Sequence, residues 1–244
     1  MNYNKLFLLI AFVGFYVINA QTAKNVDQQS LLWTRYVAQL ELSKKWLAVA
    51  EVDERFFSNP TQQNVWLFRI QGRYKLNNKV EVGSGFAYFS VTTENPEIVL
   101  GFQTPEYRLQ QDLTMRQKAG KFEFNQRYQF EQRFRNTYNT KGDYLGNDFF
   151  LRYRFRVQAD YNFWQVDEHY IKAILSDEVM FNGGQNVVNN VFDQNRIYGA
   201  IQYGFNKKIA VELGYIKNYQ RRFSGVDFYD RDIIRISIFQ KFKI

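Results

Sequence analysis

Arginines at every second position are the most chemically pointed feature of this sequence. Arg152, Arg154 and Arg156 alternate with Tyr153 and Phe155, and Arg127, Glu131 and Arg133 recur among Tyr128, Phe130 and Phe134. Arg69 and Arg73 flank Gln71 in the same rhythm, and Arg196 and Glu212 sit on later stretches of the same kind. In extended chain, side chains alternate between two faces, so each set points its guanidinium groups one way. Arginine's planar fork pairs two-pronged with carboxylates, which suits it to a crowded interior. A ladder of such groups along a passage could equally select anions. Both readings stand at this stage.

Other chemistry is thin. The chain has no cysteine and one histidine, which removes disulfides, thiol nucleophiles, zinc ribbons and His-rich metal sites. A Ser/His hydrolase would need His169 as its base. Ser176 lies seven residues along the same stretch, about 23 Å away at 3.3 Å per residue. A serine from a neighbouring strand stays open, but a turn histidine is the expectation. Glu51 and Asp53 are spaced for paired carboxylates, yet the interleaved arginines favour structural ion pairs. Asp227, Asp230 and Asp232 do not match a calcium-loop spacing. No catalytic residue, cofactor or metal is expected.

The elements that would hold the arginines read as strands. Trp66, Phe68, Ile70, Tyr74 and Leu76 share one face of a stretch whose other face carries Arg69, Gln71, Arg73 and Lys75. A helix would scatter these arginines around its axis. Eleven candidate strands follow, at roughly 31–42, 46–57, 64–76, 80–90, 105–117, 122–134, 148–161, 168–181, 194–205, 209–219 and 232–243. The stretch at 168–181 is weakest, because Asp177 falls on the face made apolar by Ile171, Ala173 and Leu175. Connections alternate short and long. Short turns are Ser43–Lys45, Asn77–Lys79, Lys118–Lys121, Asn162–Asp167 and Asn206–Lys208; long connections are 58–63, 91–104, 135–147, 182–193 and 220–231.

The N-terminus carries an address. Lys5 precedes an uncharged apolar run from Leu6 to Ile18, followed by Asn19-Ala20 and a return to polarity. That order describes a secretory signal peptide, and the run is too short for the about 20 residues a spanning helix needs. The expected organisation is a signal peptide at 1–20, a polar segment at 21–30 and one β-barrel at 31–244. Over 244 residues the formal charge is +8. Lysines crowd the short turns (Lys44, Lys45, Lys79, Lys207, Lys208) while arginines lie within the strands, so the basic balance does not point to nucleic acid.

Strand length separates membrane from water. Strands of eleven to fourteen residues are about twice the globular norm, and a tilted transmembrane strand needs about 9–11. Aromatic residues gather at both strand ends, as in interfacial girdles. Near the short turns they are Trp46, Tyr74, Phe122, Tyr161, Trp164 and Tyr203; near the long loops, Trp66, Tyr107, Phe134, Phe149, Phe181 and Tyr219. The expectation is therefore all-β: a single antiparallel up-and-down transmembrane β-barrel of about 10–12 strands, with short periplasmic turns and longer extracellular loops. Bacterial single-chain barrels have even strand numbers. A missing or split strand, or residues 21–30 threading the lumen, would bring the eleven stretches to ten or twelve.

Several segments also resemble a known family. They include Trp33-Thr34-Arg35, Lys44-Lys45-Trp46, Glu51-x-Asp53-Glu54-Arg55, Arg127-Tyr128-Gln129-Phe130-Glu131-Gln132-Arg133-Phe134, Phe192-Asp193-Gln194-Asn195-Arg196 and Glu212-Leu213-Gly214-Tyr215. In their order and spacing, over about residues 28–244, they resemble the Bacteroidota outer-membrane barrel family catalogued as domain of unknown function 2490. The resemblance implies an exported outer-membrane barrel and brings no catalytic residues. The resulting expectation is a structural or interaction protein with a charge-plugged lumen, whose partners are outer-membrane lipids and another envelope protein. The alternatives are a narrow pore for small solutes, anions among them, and an outer-membrane lipid hydrolase.

Overall fold

The computed structural model describes residues 24–243 except 99, 140 and 188. The stretch at 1–20, expected to be a signal peptide, lies outside the described residues. Eleven strands follow one another: β1 Val26–Glu41, β2 Trp46–Ser58, β3 Thr61–Lys75, β4 Val80–Val91, β5 Thr104–Ala119 and β6 Phe122–Tyr138. Then come β7 Tyr144–Val166, β8 His169–Gly183, β9 Phe192–Gly204, β10 Ile209–Arg221 and β11 Phe228–Lys243. Each pairs antiparallel with the next, and β1 pairs with β11 to close the barrel. No helix is present among the described residues.

The closing pair is parallel, from Val26↔Phe228 to Glu41↔Lys243. This corrects two expectations, a wholly antiparallel sheet and an even count of ten or twelve. The reason is geometric: when up and down strands alternate, the first and last of an odd number run the same way. Residues 26–30, expected outside the wall, are the start of β1. Gln28 donates from Nε2 to Asp230 Oδ2 at 3.1 Å across that seam. They do not thread the lumen.

The turns show how local chemistry sets the hairpins. Three of them share one device. Ser43 Oγ accepts from the amides of Lys45 and Trp46, Asn77 Oδ1 from those of Lys79 and Val80, and Asn206 Oδ1 from those of Lys208 and Ile209. A side chain that satisfies two amides holds the chain in a turn without a helix or sheet partner. The other two turns at this end are tighter, with Gly120 at φ 62° and Asp167 at φ 52°. Hairpin turns of two residues need such left-handed backbone. The expected turn at Asn162–Asp167 shrinks accordingly, because β7 continues to Val166. At the opposite end, the expected long connection at 58–63 is also corrected: Asn59 and Pro60 alone join β2 to β3. The remaining connections at that end are the longer ones, 92–103, 139–143, 184–191 and 222–227.

The distribution of polarity is inverted relative to a water-soluble core. Leu175 is 62% exposed and Leu213 59%, both on the outer face, whereas Glu131 and Gln110 inside are 0% exposed. Aromatic pairs brace the exterior at both rims. Trp46 meets Tyr74 at 4.8 Å between ring centroids and Phe122 meets Tyr161 at 4.7 Å by the turns; Phe134 meets Phe149 at 5.0 Å by the loops. Inside, two glycines make room for rings. Tyr170 lies on Gly204 and Tyr198 on Gly214, so close that a Cβ at either glycine would overlap the ring. The interior also holds two apolar clusters, one around Leu31, Trp33, Phe57, Ile216 and Ile233, the other Val65, Leu67, Ala87 and Phe89.

Candidate functional site: the charged lumen

Strand alternation places every residue of the arginine ladder on the inner face, and neighbouring strands bring it to carboxylates. Arg108 and Arg133 both donate from Nε to Glu106 Oε1, each at 2.6 Å. Beside them Glu131 accepts from Arg154 Nη1 at 2.7 Å and from Gln129 Nε2 at 2.7 Å, with Arg108 Nη1 at 3.4 Å. Arg152 reaches Asp193 Oδ2 at 2.9 Å. This knot ties β5, β6, β7 and β9 together by charge-assisted bonds.

Nearer the short turns, Arg73 lies between two carboxylates. Its Nη1 and Nη2 donate to Asp112 at 3.0 and 2.8 Å, and its Nε donates to Glu81. Arg116 joins Glu81 at 3.2 Å. On the wall near the seam, Arg69 donates to Glu51 at 3.0 Å and Arg55 to Asp53 at 3.1 Å. Glu212 accepts from Tyr198 Oη and from Gln202 Nε2, with Arg35 and Arg235 each at 3.6 Å. Two of these paired guanidiniums also rest on rings: Arg108 lies 3.6 Å from the Phe89 centroid and Arg55 3.9 Å from that of Trp33. Such stacking is worth about 0.5–2 kcal/mol.

Between these side chains runs a cavity of about 510 Å³. Val91, Glu94 and Gln220 line it toward the long loops, and Gln39, Glu123 and Phe239 toward the short turns. Its wall carries fourteen arginines and Lys172 against seven carboxylates. Glu131, Glu81 and Asp112 are not among those seven. They lie behind their arginines, with side chains 0%, 3% and 1% exposed. Three carboxylates are thus set back behind their arginines, and the seven that share the cavity wall are outnumbered two to one by guanidiniums.

All ten ladder residues read from the sequence face this interior; nine line the cavity, and Glu131 is the buried exception. Sequence reasoning passed over several members of the same network. Arg35, Arg108, Arg116 and Arg235 obey the same parity and could have been found by it. Asp193, Arg231 and Glu94 fell in segments read as loops. Glu94 belongs to the 92–103 connection, which leans over the mouth. Its carbonyl accepts from Gln29 Nε2 at 3.0 Å and its carboxylate stands 4.0 Å from Arg135.

Residues considered for other chemistry lie elsewhere. His169 is exposed at a turn, its Nδ1 3.0 Å from Tyr203 Oη, while Ser176 is buried on the inner face. Asp230 and Asp232 converge on Lys217 Nζ at 2.9 and 3.0 Å. Asp227 accepts from Ser224 Oγ at 2.9 Å.

A closed all-β barrel, apolar outside and lined with charge inside, has the architecture of porin-like barrels. The NanC porin, solved in a rhombohedral crystal form, superposes with a TM-score of 0.50 at 14% identity, over 85% of this chain and 96% of that one. At that identity the likeness is one of fold. The chain belongs to the family described as Protein of unknown function (DUF2490), whose model matches residues 31–229. No curated protein matches it in sequence.

Proposed function

We propose that this protein is an exported outer-membrane barrel whose lumen forms a narrow pore selective for small anions. The carrying observation is the wall of the cavity, where fourteen arginines and Lys172 outnumber seven carboxylates. An excess of one sign of charge along a low-dielectric passage concentrates counter-ions of the other. The cavity holds about 510 Å³, which is room for small solutes only. The apolar exterior supports outer-membrane lipids as the surroundings, with turns toward the periplasm and the longer loops outside. The exposed turn position of His169, facing away from Ser176, supports no hydrolytic role.

A second reading is a plugged barrel that serves as a scaffold for another envelope protein. The dense knot around Glu131 favours it, because it fills one side of the lumen with paired side chains. Purified protein from outer membranes, checked for a heat-dependent gel shift, would be added to planar bilayers under a potassium chloride gradient. Discrete steps with a reversal potential near that of chloride are expected. No conductance from folded barrels would favour the scaffold, and a cation-selective current would overturn the anion pore.

A further inference from the structure

One row of the lumen holds more positive charge than its partners can neutralise. Arg127 on β6 stands directly opposite Arg156 on β7, both facing inward. Arg156 in turn opposes Glu178 on β8, and Glu178 opposes Arg196 on β9. Three guanidiniums thus share one row with one carboxylate. Like charges directly opposite on one face of a sheet repel.

Glu178 neutralises Arg127 but forms no ion pair with Arg156 or Arg196, because its oxygens are committed. Oε1 accepts from Arg127 Nη2 at 2.6 Å and from Arg154 Nε at 3.2 Å, and Oε2 accepts from Arg154 Nη2 at 2.9 Å. Arg156, next to Glu178, makes no ion pair within 4 Å and no hydrogen bond among the described residues. Its Nε is buried without a partner in the protein, as is that of Arg127. Arg196 has only an amide, donating from Nε to Asn218 Oδ1 at 3.2 Å, and the face of Trp33 at 5.3 Å. Arg127, Arg156 and Arg196 all border the central cavity.

We propose that this row is a binding seat for a small oxyanion, a phosphate, sulfate or carboxylate group held by Arg156 and flanked by Arg127 and Arg196. Guanidinium forks offer parallel donors that match two oxygens of such a group. The anion would supply the charge that Glu178 cannot and would give the orphaned donors acceptors. Chloride, a single atom, must share itself between the two donors of a fork and so matches their parallel geometry less well than two oxygens do. The seat deepens the anion-pore reading, since it would be a station within the lumen, but it can be tested without any current.

The full chain, folded in detergent, would be melted with increasing inorganic phosphate, ionic strength being held constant with chloride. A saturable rise in Tm is expected, since a ligand that binds only the folded state stabilises it by mass action. Arg156→Gln should bind phosphate about tenfold more weakly. With phosphate absent it should melt no lower than the parent, because its removal relieves repulsion. Arg196→Gln should weaken the response in the same direction. A phosphate response equal to that of chloride, or one unchanged in both variants, would overturn the seat. So would an Arg156→Gln chain that fails to fold, since the residue would then be stabilising. A barrel that binds phosphate but carries no current would remove the pore and keep the seat. Anion current without a phosphate response would do the reverse.

Discussion

Glu131 and Arg154 meet inside the barrel wall, Nη1 donating to Oε1 at 2.7 Å, and the carboxylate has no exposure at all. Glu131 also lies within ion-pair distance of Arg108 and Arg152. One buried negative charge therefore holds three positive ones. Removing it leaves Arg108, Arg152 and Arg154 with one carboxylate each, Glu106, Asp193 and Glu178, and breaking such a buried network typically costs about 3–5 kcal/mol. Glu131→Gln should lower the free energy of unfolding measured in urea by about that much and reduce the heat-shifted fraction on gels. Glu123→Gln, whose nearest cation is the solvent-exposed Lys118 at 3.6 Å, should change neither. Equal effects from the two would remove the special role of Glu131.

The outer face gives a test of membrane residence. Leu175 sits near the middle of β8 and Leu145 at the loop end of β7, and both are more than 60% exposed. Arginine at the bilayer midplane of a barrel costs about 2–4 kcal/mol, and near the interface about 0–1. In lipid vesicles Leu175→Arg should therefore be far more damaging than Leu145→Arg. If the two variants unfold at the same denaturant concentration, the apolar face does not lie in lipid.

Gly214 and Gly199 make a matched pair. A Cβ at Gly214 would run into the Tyr198 ring, whereas one at Gly199 meets nothing within 4 Å. Overpacking a filled site costs about 1–3 kcal/mol. Gly214→Ala should destabilise by that amount and Gly199→Ala should be neutral or slightly stabilising, read by chemical denaturation.

Glu94 is the negative charge at the mouth of a positive passage. Its loss in Glu94→Gln should raise the local concentration of anions there. The reversal potential should move further toward that of chloride in 0.1 M salt. The change should fade at 1 M, where charges are screened within about 3 Å. A shift toward cations would contradict the placing of this residue on the conduction path.

Much of the fold was legible because each strand has one wet and one apolar face, and period two is then unmistakable. The failures fall where that contrast lapses. β1 begins five residues before Leu31 because Gln28 and Ser30 are polar on the outer face, where they sit beside Asp230 and Asp232. The tight turn at Asn59-Pro60 was read as a loop because Gln62, Gln63 and Asn64 follow it without an apolar partner. The inward direction of the arginines could be read from parity alone. Which carboxylate each one meets depends on register between strands, and no single stretch carries that. Nor could one stretch reveal that Arg127 and Arg156 face each other.

The parallel seam bears on how the barrel assembles. Every other pairing joins strands that follow one another, so it can form as soon as a hairpin is available. Only the seam joins residues 202 positions apart, as in the bond from Gln28 to Asp230. Until β11 pairs with β1 the structure is an open ribbon whose two free margins are β1 and, once all strands are added, β11. Gln28, Ser30 and Thr34 on one margin and Asp230 and Asp232 on the other put polar groups on the outer side of both closing edges. Polar edges discourage pairing with foreign strands. The same residues that blurred the start of β1 in the sequence would thus keep an unfinished barrel from closing on the wrong partner.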